Sequence, residues 1–260
     1  MYPYLKIFGF DIPTYSIMII LGIVFANIIG LYCAKQDKKI DINDLSICEA
    51  YTGLGAIIGS KLLYLWVTRS EIDWSRIIDI NYFNGLMKGG FVFYGGLIGG
   101  FIFFIIGCRL HKIDAFYYLN KFIFLIPFIH TFGRIGCFMA GCCYGIRYEG
   151  IFAVAFSENS FAPANVNLFP VQLLEAIILL AISFILFICQ KRKKESIMLP
   201  LYFIMYGVSR FLIEFLRYDE IRGKWLYFST SQWISAVLIV IAFVILIYSK
   251  KRNANCSIRD

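Results

Sequence analysis

The sequence predicts an all-α fold: a polytopic integral membrane protein of about seven transmembrane helices. Three observations lead there. Of the 260 residues, 60% are hydrophobic and 18% aromatic, and the mean hydropathy is +0.72, which is more apolar surface than a water-soluble core of this size can use. The apolar residues fall into repeated runs of about 20, the length that crosses a hydrocarbon layer about 30 Å thick. Lysine and arginine punctuate these runs instead of forming a soluble basic face.

In chain order the runs are Pro13–Ala34, Ser46–Val67, Phe91–Cys108, Ala115–Phe132, Pro170–Gln190, Ile197–Leu216 and Ser231–Tyr248. Residues 1–260 read as a single transmembrane domain with an outer loop or lid over 134–169. The first run is not expected to be a cleaved signal peptide. Only Lys6 precedes it, it is too long, and no small-residue cleavage site follows. Thirteen basic residues fall in one alternating set of connections, including Lys191–Lys194 and Lys250–Arg252, against nine in the other. That bias places the N-terminus outside and the C-terminus in the cytoplasm. The net charge of +8 suits contact with anionic membrane lipids, and no nucleic-acid partner is expected. Eight cysteines scattered over spans and loops do not make a secreted disulfide framework.

Small residues mark where helices approach. Gly55 and Gly59 in the second run, and the overlapping pairs Gly95/Gly99 and Gly96/Gly100 in the third, give smooth helix faces. Packing accounts for these glycines but not for the hydroxyl of Tyr94 just before them. Lys61, in the second run, is suited either to snorkelling or to binding an anion. Tyr15 stands near the outer interface, where tyrosine commonly anchors a span.

The chemistry concentrates in a few charged positions. His130 to Gly145 reads H-T-F-G-R-I-G-C-F-M-A-G-C-C-Y-G, with Arg134 among glycines and three cysteines. A full charge and a glycine-broken backbone at membrane depth predict a turn lining a polar cavity. Gln172 and Glu175 share a helical face one turn after Pro170. Arg210, Glu214 and Arg217, spaced i, i+4 and i+7, predict one charged face on the sixth span. The topology puts Tyr94, Arg134, Glu175, Arg210, Glu214 and Arg217 in the outer half of the membrane. Arginines converging there suit a phosphate, which guanidinium binds bidentately, and the phosphate available at that depth is a phospholipid headgroup.

At this point the chain resembles the prolipoprotein diacylglyceryl transferase family nearly end to end. The resemblance runs through Tyr15, G-x-x-x-G near residue 55, F-Y-G-G-L-I-G, G-R-I-G, P-x-Q-L-x-E at 170–175, Y-G-x-x-R-x-x-x-E-x-x-R at 206–217, and Gln232. It implies an enzyme of the bacterial cytoplasmic membrane that moves a diacylglyceryl group from phosphatidylglycerol to the lipobox cysteine of a prolipoprotein signal peptide. It implies that Arg134 and Arg210 are the essential arginines, with Tyr15, Gln172, Glu175, Glu214 and Arg217 completing the binding set. No cofactor and no metal are implied.

The pattern also departs from the family at several positions. Tyr94 stands where the family has a histidine, Cys137 where it has asparagine, and Cys142 where it has an acidic residue, followed by Cys143. Tyrosine, with a reference pKa of about 10, is a weak base at neutral pH. His130, one turn before Arg134, is therefore expected to take the proton. Cys137, Cys142 and Cys143 have three readings, as inert small residues, a redox pair or a metal site; lacking standard zinc spacing, they are expected to be inert. The alternatives are a paralogue using another acceptor, or a lipid-binding or transport protein without catalysis. The absence of an evident inverted repeat weighs against a transporter.

Overall fold

The computed structural model describes residues 2–7, 9–191, 197–218, 224–226 and 228–256. Arg192, Lys193, Lys194, Arg222 and Arg259, which entered the basic-residue count, lie outside the described residues. In chain order the elements are strands β1 (Tyr4–Ile7) and β2 (Phe10–Pro13), and helices α1 (Thr14–Lys35), α2 (Ile42–Val67), α3 (Ile80–Lys88), α4 (Phe93–Leu110), α5 (Ala115–Phe122) and α6 (Leu125–Ala140). Strands β3 (Val154–Ala155) and β4 (Asn167–Leu168) follow, then α7 (Val171–Lys191), α8 (Met198–Ile213), β5 (Lys224–Trp225), β6 (Phe228–Ser229) and α9 (Thr230–Cys256).

Among the described residues, five helical stretches are long and apolar enough to cross a membrane: α1, α2, α7, Met198–Leu216 and Thr230–Ile247. The α5–α6 pair makes a sixth if its two pieces are one span. The chain is thus a mostly helical, multi-pass membrane protein. The third predicted run becomes a shorter apolar helix, Tyr94–Leu110. The fourth is not one straight helix: it bends by 49° between Phe122 and Leu125, and Pro127 sits in the first turn after the break. Proline lacks a backbone donor and is tolerated there, since first-turn N–H groups have no intrahelical partner. The glycines at 133 and 136 do not break the backbone; α6 runs through both and ends only at Gly141, at φ +78. The all-α reading also lacked three small antiparallel hairpins, β1–β2, β3–β4 and β5–β6.

The chain packs as two compact units, one from residues 31–118 and the other from 1–30 with 119–260. The smaller is built on α2 and α4. Asp41 caps α2 by accepting from the Asn43 amide at 2.8 Å. Cβ atoms placed on Gly55 or Gly59 would overlap the carbonyl oxygens of Gly99 and Gly95, so the two backbones touch directly. Lys61 is engaged by backbone and is not left free for an anion. Its ammonium donates to the carbonyls of Leu86 at 2.6 Å, Met87 at 3.2 Å and Gly89 at 2.5 Å, closing the C-terminal end of α3. Asp79 caps the other end of α3, and the Asn81 amide it binds holds its carboxyl below the usual value.

In the larger unit α6 packs on α7, α7 on α8 and α8 on α9. Leu179, Leu186 and Ile182 of α7 are fully buried, and Ser183 of α7 donates to the Phe124 carbonyl at the α5–α6 break at 2.8 Å. Residues 141–169 have an apolar centre of their own, Phe156, Leu168 and Ala162, with Phe138 and Tyr144 against it.

A pair of alanine substitutions tests the α2–α4 seam. Gly95→Ala places a methyl against the Gly59 backbone and 2.6 Å from Leu63 Cβ, whereas nothing lies within 4 Å of a Cβ on Gly53. Gly95→Ala should cost about 1–3 kcal/mol by overpacking. Gly53→Ala should be neutral or stabilising, by up to about 1 kcal/mol. Thermal unfolding of both variants in detergent measures the difference, and equal midpoints would contradict the seam.

Candidate active site

Three arginines and two glutamates meet in the larger unit, brought there by α6, α7 and α8. Arg134 lies on α6, and the glycines beside it serve approach instead of turning. A Cβ on Gly136 would sit 3.1 Å from Tyr15 Cα, and one on Gly133 would sit 3.1 Å from Ile19. The thin face of α6 thus lets α1 come close and sets Tyr15 within electrostatic reach of Arg134.

Arg134 Nη2 pairs with Glu175 Oε1 at 2.9 Å. Glu175 stands one turn into α7, where the N-terminal end of the helix favours a carboxylate. It is almost wholly buried, with a side chain 2% exposed. Its other oxygen faces Arg217 Nη1 at 3.9 Å. Arg210 Nη2 binds Glu214 Oε2 at 2.8 Å and donates to Ser231 Oγ of α9 at 3.0 Å. The two carboxylates and three guanidiniums are all nearly excluded from solvent. Breaking a buried pair of this kind typically costs about 3–5 kcal/mol.

The i, i+4, i+7 spacing predicts Arg210, Glu214 and Arg217 on one face. Arg210 and Glu214 do pair, but α8 ends at Ile213, a 3-10 turn covers Glu214–Leu216, and Arg217 is extended at φ −95 and ψ 146. Leaving the helix lets Arg217 turn to Glu175 instead. The loop holds it there: the Ile146 amide donates to the Leu216 carbonyl at 3.0 Å, and Gly145 bridges Arg217. A Cβ on Gly145 would lie 2.5 Å from the Phe169 carbonyl oxygen and 2.9 Å from that of Leu216. No side-chain pattern announces this crossing of three backbone segments.

Gln172 is buried and donates to the Cys142 carbonyl at 2.8 Å, tying α7 to the start of the loop. The Cys142 amide in turn donates to the Cys137 carbonyl at 3.1 Å, completing the left-handed helix end at Gly141. Hydrogen bonds from the Cys137 and Cys142 thiols, with the Arg217 guanidinium beside them, draw the Cys143 thiol well below its ordinary pKa. His130 is one turn before Arg134, half-buried, with its ring 5.8 Å from that of Tyr206 on α8. Arg134 and Arg210 are both within electrostatic reach of it.

The fold therefore brings together, in the larger unit, Tyr15, His130, Arg134, Gln172, Glu175, Arg210, Glu214 and Arg217. Tyr94 opens α4 in the smaller unit and is 39% exposed. Ser231 was not singled out from sequence, though a hydroxyl beside Gln232 at the start of a span is the kind of signal that could have drawn attention. Gln232 caps α9 reciprocally with Ser229: its Oε1 accepts from the Ser229 amide at 3.0 Å, and its own amide donates to Ser229 Oγ at 3.3 Å.

Chemically, the cluster is a group of planar cationic donors nearly excluded from solvent. Arg134 Nε and Arg210 Nη1 are buried and have no hydrogen-bond partner among the described residues. A buried donor without a partner calls for an acceptor, and a ligand or a water can supply it.

The known proteins this chain is similar to agree with that chemistry. The family pattern described as prolipoprotein diacylglyceryl transferase matches residues 3–248. A phosphatidylglycerol–prolipoprotein diacylglyceryl transferase of Clostridium tetani is 38% identical over 243 residues, covering 92% of this chain and 94% of its own. A protein named phosphatidylglycerol–prolipoprotein diacylglyceryl transferase 2 in Clostridium perfringens is 33% identical over 239 residues, 90% of each chain. The Campylobacter curvus protein of the first name is 28% identical over 258 residues, 95% of this chain and 93% of its own. Matched from residue 3 to residue 248, and through relatives that cover nine-tenths of its length, this chain belongs to the prolipoprotein diacylglyceryl transferase family.

Proposed function

We propose that this protein transfers the diacylglyceryl group of phosphatidylglycerol to the lipobox cysteine thiol of secreted prolipoproteins, in the bacterial cytoplasmic membrane. One observation carries the reading: three buried guanidiniums, Arg134, Arg210 and Arg217, face two buried carboxylates, Glu175 and Glu214. That leaves one positive charge over. A phosphodiester headgroup carries one negative charge and offers oxygens that suit planar, bidentate donors.

In the reaction the lipobox thiol loses its proton to His130, since thiolate is the nucleophile. The sulfur attacks the glyceryl carbon bonded to the phosphate oxygen. The S–C bond forms as the C–O bond breaks, and the electron pair leaves on the phosphate of glycerol phosphate. Arg134 and Arg210 hold the phosphate and stabilise the charge it gains as it departs, a role for fixed donors in a dry site. Glu214 orients Arg210, and Glu175 pairs with Arg134 through one oxygen and faces Arg217 with the other. Tyr15 and Gln172 complete the substrate-binding set. Tyr94, at the family's histidine position, is the rival for the proton step.

The same reading gives seven spans, with α4 as the short one, an outside N-terminus and a cytoplasmic C-terminus. The charged cluster then lies towards the outer leaflet, where a secreted precursor presents its cysteine. Reporter fusions after Lys194 and Asp260 should both behave as cytoplasmic; an external signal from either would put the arginines on the wrong side.

Membranes carrying the protein should convert a lipobox peptide and phosphatidylglycerol to a thioether-linked product and glycerol phosphate. Arg210→Lys keeps the charge but loses the second nitrogen, Nη1, which the contacts of Nη2 to Glu214 and Ser231 leave for the phosphate. It should cost about 10²–10³-fold in rate, the loss typical of one transition-state donor, while the protein still accumulates. Full activity in that variant would remove the phosphate-binding role. Arg217, buried between Glu175 and the loop, should be as intolerant of lysine as Arg210.

The proton step is tested by a pair of variants. His130→Gln should slow transfer by about 10²–10⁴-fold, as loss of a general base does, with little change in phosphatidylglycerol binding. Tyr94→Phe, if it removes one orienting hydrogen bond, should cost on the order of 1 kcal/mol. A loss at Tyr94→Phe equal to or greater than that at His130→Gln would transfer the role to Tyr94.

A further inference from the structure

Cys137, Cys142 and Cys143 have no part in the reaction above, and in sequence their spacing fits no standard zinc motif. The fold gathers them nonetheless. Gly141 ends α6 at φ +78 and turns the chain back, and Cys143 follows in the left-handed region at φ 59. As a result, the three Sγ atoms lie within 4.8 Å of one another. Cys137 is buried, whereas Cys142 and Cys143 are partly accessible.

A redox pair would use two of these thiols and leave the third unexplained. Three sulfurs on a tetrahedral zinc-class ion, each about 2.3 Å from the metal, stand roughly 3.8 Å apart. The observed cluster is already close to that triangle. Gln172 fixes the Cys142 backbone from α7 at 2.8 Å, so the ligand loop is held by an outer layer of polar contacts.

We propose that Cys137, Cys142 and Cys143 form a three-thiolate site for a thiophilic divalent cation of the zinc class, with the fourth coordination position left to an exchangeable ligand. Each sulfur binds as thiolate, any proton still on it is released, and the metal undergoes no redox change. Three protein ligands with an open fourth position are the pattern of reactive zinc sites, whereas purely structural sites close all four.

The test uses the full chain, purified in detergent under reducing conditions and titrated with Cd²⁺. Wild-type protein should bind one equivalent, seen as an ultraviolet sulfur-to-cadmium charge-transfer band, with a rise in unfolding temperature. Cys142→Ser and Cys143→Ser should each weaken binding by at least about 10²-fold, beyond what loss of an outer-layer contact causes, and should abolish the thermal shift. The Cys48–Cys108 pair in the other unit, with sulfurs 3.6 Å apart, is the internal control. Cys48→Ser should leave the equivalent intact. Failure of the wild type to bind, unchanged binding in both loop variants, or loss of binding in Cys48→Ser would each overturn the site.

Discussion

A charge placed in a membrane interior must find its partner within the protein, and that constraint arranges the larger unit. Glu175 cannot remain ionised one turn into an apolar helix without cations, and Arg134 and Arg217 supply them from opposite sides. Arg210 meets the same demand with Glu214 and Ser231. Arg134–Glu175 links α6 to α7, Glu175–Arg217 links α7 to the chain after α8, and Arg210–Ser231 links α8 to α9, so satisfying the charges also fixes how these helices pack. The apolar contacts between these helices are interchangeable, because lipid tails are as apolar as leucine. The ion pairs are not.

The sequence disclosed the parts of this arrangement governed by composition and by short-range spacing. Apolar length located the main spans, and the i, i+4 relation of Arg210 and Glu214 is a local fact that survives into three dimensions. The Gly55/Gly59 and Gly95/Gly99 pairs likewise meet as expected. What was hidden depended on where backbone stops being helical. Arg134 sits in a helix instead of a glycine turn, because Gly133 and Gly136 serve the approach of α1. Arg217 leaves its helix because the chain at Gly145 and Phe169 crosses it, and no periodicity registers a crossing of distant segments. The bend between Phe122 and Leu125 escaped for a similar reason: a continuous apolar run does not show where a helix changes direction. Lys61 was read as a snorkelling or anion-binding cation, but its partners are backbone carbonyls, which have no letter in a sequence.

The loop over 141–169 shows how a site on one helix can depend on a segment far along the chain. Its apolar centre at Phe156 and Leu168 keeps it folded on itself. Its edges are fastened to α7 through Gln172 and to the end of α8 through Ile146 and Gly145. A substitution inside the loop, for example at Phe156, would reach the arginines through those fastenings without touching any of them. The loop works as a brace for Arg217 and as the carrier of two of the three clustered thiols.

The contact between α2 and α4 has a mechanical consequence. Where two helices meet through side chains, rotamer changes let them slip and tilt slightly without losing contact. At Gly55, Gly59, Gly95 and Gly99 backbone lies on backbone, and there are no rotamers to adjust. The seam therefore lacks compliance: it can separate or slide as a whole, but it cannot yield gradually. Within the smaller unit, any deformation imposed by the surrounding bilayer must be taken up elsewhere, in the connections over residues 36–41 and 68–92 and in α3, whose C-terminal end hangs on a single lysine.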